Sequence, residues 1–142
     1  MSGFIEARPR VGYYYSGKSK NKIINEQLRQ YVVKDYMSQP VILKEEMSVY
    51  DAICTIFLED AGTLFITNKD NDFIGVCSRK DLLRASMIGE DIHTMPISVN
   101  MTRMPHITFL EESELVIYAA NQMIEKEIDA LPIVRKKDND KY

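Results

Sequence analysis

An α+β fold that uses one unit twice is predicted by three observations. An opening string containing proline recurs: Met37-Ser38-Gln39-Pro40-Val41 resembles Met101-Thr102-Arg103-Met104-Pro105-His106. Behind each string a serine introduces an amphipathic helical pattern. Behind each helix comes a strand-like apolar run and then a polar turn. The predicted order is short strand, helix, strand, hairpin, strand, helix, in duplicate.

The elements follow in order. In residues 3–15 apolar residues flank a tight basic turn built on Pro9, which reads as a hairpin. Residues 21–31 read as a linker helix with Ile23, Ile24 and Leu28 on one face. Ser48 opens a helix through Val49, Ala52, Ile53, Ile56 and Phe57. Ser113 opens the second through Leu115, Val116, Ala119, Met123 and Ile124. Each pattern is about 12 to 14 residues long. The strands that follow are Thr63-Leu64-Phe65-Ile66-Thr67 and Ala130-Leu131-Pro132-Ile133-Val134. Lys69-Asp70-Asn71-Asp72 and Lys137-Asp138-Asn139-Asp140 are hairpin tips, since they lack the Gly and closing Glu of a calcium loop. The first repeat continues with a strand over residues 73–77 and a helix over residues 79–87. The second reaches Tyr142 where its matching strand should begin. By comparison with the first repeat, roughly 25 to 30 further residues are expected.

The chemistry concentrates in Gly75-Val76-Cys77-Ser78-Arg79-Lys80-Asp81-Leu82-Leu83. A strand runs into a serine, and an aspartate follows three residues later where a helix starts. This is a capping box in its acidic variant. Helix N-termini also attract phosphate and ribose oxygens. The segment thus offers a hydroxyl, a carboxylate and free backbone N–H groups at one strand–helix turn, although any capped helix after a strand looks similar.

Composition narrows the function classes. The chain has 142 residues, 45% hydrophobic and 27% charged, enough for one reasonable core. No apolar run approaches the ~20 residues that span a bilayer, so no membrane partner is expected. Cys54 and Cys77 sit in apolar segments and read as small buried hydrophobes in a reducing, cytoplasmic setting. His93 and His106 lack partners at ligand spacing, so no metal is expected. No Ser/His/Asp set, Cys–His pair or P-loop appears, so no enzyme is expected. Residues 1–22 carry Arg8, Arg10, Lys18, Lys20 and Lys22 against Glu6, on a chain of net charge −3. A basic end on an acidic body suggests contact with an acidic polymer; a solvated tail is the alternative.

The duplicated unit resembles the CBS (cystathionine β-synthase) domain pair over residues 34–142. The resemblance is carried by the Met-x-x-Pro opening, Asp51-Ala52 after the helix start, and Gly75-x-x-Ser78-x-x-Asp81. The hairpin at the front resembles the wing of a winged helix-turn-helix protein. Wing, linker helix and pair together resemble a family of bacterial repressors of gluconeogenic genes, along strings such as GFIEARPRVGYYYSGK and SRKDLLRAS.

The resemblance implies tandem βαββα repeats. It implies a remnant wing over 1–18, a linker helix over 19–33, a first CBS domain over 34–90, and an inter-repeat linker with an incomplete second domain over 91–142. It implies a homodimer, and an adenine nucleotide (AMP, ADP or ATP) bound between repeats. Asp81 would hold the ribose hydroxyls, with Ser78 toward ribose or phosphate. Val41, Met47, Ala52, Ala61, Thr63 and Val76 would line the adenine slot, and Arg79 and Lys80 would meet phosphate. Arg8 and Arg10 at the wing tip would contact operator DNA. Asp129 and Ala130 depart from the family, which often places His or Arg there. A regulatory pair of a metabolic enzyme, or a dimerisation module with an empty cleft, are the other classes that fit.

Overall fold

The computed structural model describes residues 3–6, 30–137 and 141–142. The expected wing tip with Arg8 and Arg10, most of the linker helix, and the tip at 138–140 lie outside the described residues.

Three strands of the first repeat and one from the segment after it form one sheet, in the order β2-β3-β4-β5. Strand β2 (Ile42–Lys44) is parallel to β3 (Thr63–Thr67). Strand β4 (Phe73–Ser78) is antiparallel to β3 and to β5 (Thr102–Arg103). Helix α1 (Val49–Glu59) is capped as the sequence predicts: Ser48 Oγ accepts the Asp51 N–H at 3.0 Å and donates to Asp51 Oδ2 at 2.9 Å. The helix ends at Asp60, in the left-handed region at φ 48°, whose N–H bonds Ile56 O. Helix α2 (Arg79–Met87) begins immediately after β4.

Strand alternation sets the core. The register pairs Leu64 with Cys77, and Ile66 with both Leu43 and Gly75, so these residues share one face. That face packs with Val49, Ala52 and Ile56 of α1 and Leu82 and Ala85 of α2. Each fully buried aliphatic side chain there contributes about 1.5–3 kcal/mol of transfer free energy.

The β3–β4 turn forms as predicted. Asn68 Oδ1 accepts from the N–H groups of Asp70 and Asp72, each at 2.9 Å, and Asn71 takes φ 63°.

The second unit contains the 3₁₀ turn Val33–Asp35, α3 (Val116–Glu125), β6 (Ala130–Ile133) and β1 (Gly3–Glu6). Its core joins Val33, Leu110, Ala119, Met123, Leu131 and Ile133. Strand β1, expected in a hairpin with the residues just after it, pairs antiparallel with β6, Gly3 facing Ile133 and Glu6 facing Ala130. On the other edge of β6, Leu110 makes a parallel bridge to Ile133.

One expectation is corrected here. Ser113 does not open α3. Leu115 occupies the cap position without a side-chain cap, and the first helical amide, Val116 N–H, is taken by Tyr31 O at 2.9 Å. A serine cap would serve the second or third helical amide, so this backbone carbonyl meets a different donor and α3 starts with no side-chain cap.

The same kind of bond shapes the compact units, which are residues 1–39 with 109–135, and 40–108 with 136–142. Within the first repeat's unit, Val49 N–H to Met95 O (2.9 Å), Tyr50 N–H to Ile92 O (3.0 Å) and Ile97 N–H to Met47 O (2.7 Å) stitch the inter-repeat linker to the start of α1. Within the other, Val33 N–H to Glu114 O (2.8 Å) joins the Tyr31 bond to α3. The compact units therefore do not coincide with the sequence repeats: the linker before each repeat belongs with the other.

Gly75 is required by packing. A Cβ there would lie 2.5 Å from Met101 Sδ and 2.9 Å from Thr102 O, and the second of these is backbone that cannot rotate away. Gly75→Ala should destabilise the chain by about 1–3 kcal/mol through overpacking. Urea denaturation checks this, and an unchanged midpoint would contradict the packing account.

Candidate functional site

Strand β4 delivers Ser78 to the cap position of α2 in extended conformation, φ −91° and ψ 167°. The full capping box is present. Ser78 Oγ accepts the Asp81 N–H at 3.3 Å, and Asp81 Oδ2 accepts from the Ser78 N–H and from Ser78 Oγ, both at 2.8 Å. Asp81 Oδ1 faces Arg84 NH1 at 3.8 Å, and the aspartate side chain is 21% exposed. The carboxylate is thus divided. One oxygen closes the cap, and the other has a single long ion pair at an accessible edge.

Not every amide expected to be open is open. Arg79 N–H donates to Gly62 O at 3.3 Å, and Asp81 N–H is held by Ser78.

Two predicted lining residues, Thr63 and Val76, gather beside this turn. Thr63 is the direct cross-strand partner of Ser78, and Phe65 that of Val76. Thr63, Val76 and Ser78 therefore stand on the sheet face opposite the helix core, and all three are half-buried. Val41 is half-buried and joined to β3 through Phe65 N–H to Val41 O at 2.9 Å. Met47 is half-buried against the core. Ala61 is nearly enclosed, and Ala52 is fully enclosed in the core, so the Ala52 side chain is not placed to touch a ligand.

The two cations divide. Lys80 is exposed. Arg79 is engaged at the end of α1, where its Nε donates to Ala61 O at 2.9 Å and its NH2 reaches Asp60 Oδ1 at 3.4 Å. In this state it holds a helix C-terminus and is not extended toward a phosphate. In the second repeat Asp129 is exposed, and Arg135 pairs with Glu112 at 2.8 Å, holding that carboxyl below its usual range.

Sequence reasoning missed Arg84 and the Gly62 carbonyl. The first was readable, because Asp and Arg three apart on a helix meet. The second carried no side-chain signal.

Burial, and after it the Asp81 charge, push the Cys77 thiol up to about 12. His106 is exposed, and the His93 ring lies 4.2 Å from that of Tyr50. Among the described residues no group of three or more His, Cys, Asp or Glu is placed to hold a metal ion.

Comparison with known proteins gives consistent matches. The CBS domain family matches residues 33–88. The chain is 52% identical over 141 residues to the transcriptional repressor CcpN of Bacillus subtilis, covering 99% of this chain and 66% of the repressor's length. A CBS domain protein from Pyrobaculum aerophilum complexed with AMP superposes with a TM-score of 0.63 at 20% identity, over 78% of this chain and 82% of that one. A CBS domain pair in complex with 5′-methylthioadenosine and S-adenosyl-L-methionine superposes at 0.64 and 22% identity, over 77% and 82%.

The raised Cys77 thiol carries a direct consequence. At pH 7 its thiolate fraction is negligible and its sulfur is enclosed, so a thiol reagent should leave it unmodified in the folded chain and label it on unfolding. Mass spectrometry after alkylation checks this. Native-state labelling of Cys77 at the rate of an unfolded control would contradict it.

Proposed function

Since the chain is a CBS-domain protein, we propose that it is the ligand-sensing part of a cytoplasmic bacterial transcriptional repressor. It binds an adenine nucleotide and thereby controls DNA binding at gluconeogenic genes. The observation that carries this reading is the Ser78–Asp81 box, a capped helix start whose second carboxylate oxygen remains accessible at the end of β4. The kinship to a repressor and the AMP and adenosyl ligands of similar folds support it. In this reading Asp81 Oδ1 accepts a ribose hydroxyl, displacing the long contact to Arg84. Thr63, Val76 and Val41 border the base, and Lys80 meets phosphate. Small and apolar surroundings suit a flat base, and a charge-assisted bond to the ribose fixes its orientation. The module is regulatory and carries no reaction of its own. Arg8 and Arg10 contribute phosphate or minor-groove contacts to DNA, while sequence readout belongs to a helix-turn-helix of the whole repressor.

A second copy of the chain completes the module. Ile53, Ile56, Phe57, Leu82 and Leu83 line a groove of about 450 Å³ on the outer side of α1 and α2. Phe57 is 82% exposed and Leu83 62%. A symmetric partner covers such a surface by presenting the same one.

Calorimetry with AMP, ADP and ATP tests the ligand. Asp81→Asn keeps an acceptor for the cap and removes the charge, so affinity should fall at least about tenfold while the fold survives. No heat with any of the three nucleotides, or unchanged affinity in the variant, would overturn the ribose assignment. Light scattering tests the dimer: the parent chain should run as a dimer at micromolar concentration and Phe57→Asp with Leu83→Asp as a monomer. A monomeric parent would overturn that part.

A further inference from the structure

We propose that Lys136, Lys137, Lys141 and Tyr142 form a reversible strap, latched onto the first repeat's hairpin by Asp72. The sequence marks residues 69–72 only as a polar tip, and such a tip is ordinarily solvated. Here Asp72 is buried, its side chain 9% exposed. Lys137 Nζ donates to Asp72 Oδ1 at 3.0 Å and to Asn71 O at 3.1 Å. Lys141 Nζ lies 3.2 Å from Asp72 Oδ2, which also accepts from Asn68 Nδ2 at 3.1 Å. Two backbone bonds close the arrangement, Phe73 N–H to Tyr142 O and Lys137 N–H to Lys141 O, both 2.6 Å. Lys136, Lys137, Lys141 and Tyr142 accordingly cluster in the same compact unit as the first repeat.

Opposing terms make the latch reversible. The lysine pairs and Asn68 hold the Asp72 carboxyl at about 2, so it is fully charged at neutral pH and favours the closed form. Both lysine side chains are about half exposed, which lets water and salt weaken the pairs. The helix-face core contains none of the strap residues, so opening leaves it intact. The latch sits at the first residue of β4, and the capping box sits at its last.

Hydrogen exchange read by mass spectrometry on the 142-residue chain tests the latch. Asp72→Asn should raise exchange at Phe73 and across the strap at least tenfold, with Leu64, Ile66 and Cys77 unchanged. Lys137→Ala with Lys141→Ala should do the same, and adding Asp72→Asn to that pair should raise it no further. Unchanged exchange at Phe73, or an equal rise through β3 and β4, would overturn the proposal. Should Asp72→Asn fail to fold, the lysine double variant decides alone.

Discussion

Asp81 Oδ2 accepts two hydrogen bonds from a single residue, the Ser78 N–H and the Ser78 hydroxyl, each at 2.8 Å. This closes the turn from β4 into α2 with no loop residue between them. The consequences run through the first repeat. With the helix starting at Arg79, Leu82 and Ala85 fall on the side that faces Leu64, Ile66 and Cys77. Helix α2 is then fixed against α1, and Arg79 is brought to the carbonyl of Ala61 at the end of that helix. A slip of one residue at the cap would turn Leu82 off the core and lift Arg79 from its acceptor.

Under the proposed function, the same carboxylate lets one short segment serve stability and recognition together. Ser48 and Asp51 make the same two hydroxyl contacts at the start of α1, but the bond from the cap residue's own N–H to the carboxylate, which completes the box, is made at Ser78. An aspartate at the third helical position supplies two oxygens. One is spent in the cap, and the other faces outward beside Arg84. In the proposed function a ligand at that oxygen would leave the cap intact and meet an acceptor already oriented by the folded repeat. The Thr63 side chain, directly across the ladder from Ser78, is held by sheet register and adds no flexible element.

Legibility in the sequence followed the range of the interactions. The caps at Ser48 and Ser78, the Asn68 turn and the alternating faces of β3 and β4 rest on neighbours within a few residues, and each was readable. The start of α3 was not, because no side chain caps it: Leu115 stands at the cap position, two residues beyond Ser113, and its first amide is met by the backbone carbonyl of Tyr31. Asp72 was readable as part of a hairpin tip, but its burial and pairing were not, because Lys137 lies 65 residues away. Gly75 stood out within a motif, but the cause, a close approach of Met101 and Thr102, became visible only in the packed sheet. At the candidate site, Thr63, Val76, Ser78 and Asp81 come together as the pattern implies. Arg79 and Ala52 take structural duties, because a nearby carbonyl and the core claim them first.

The most direct test of this account is a crystal structure of the chain grown with AMP. The account predicts a ribose hydroxyl within hydrogen-bond distance of Asp81 Oδ1, with the two Ser78 bonds to Oδ2 unchanged and the base beside Thr63 and Val76. AMP bound away from this turn, or bound with the Ser78–Asp81 box broken, would contradict it.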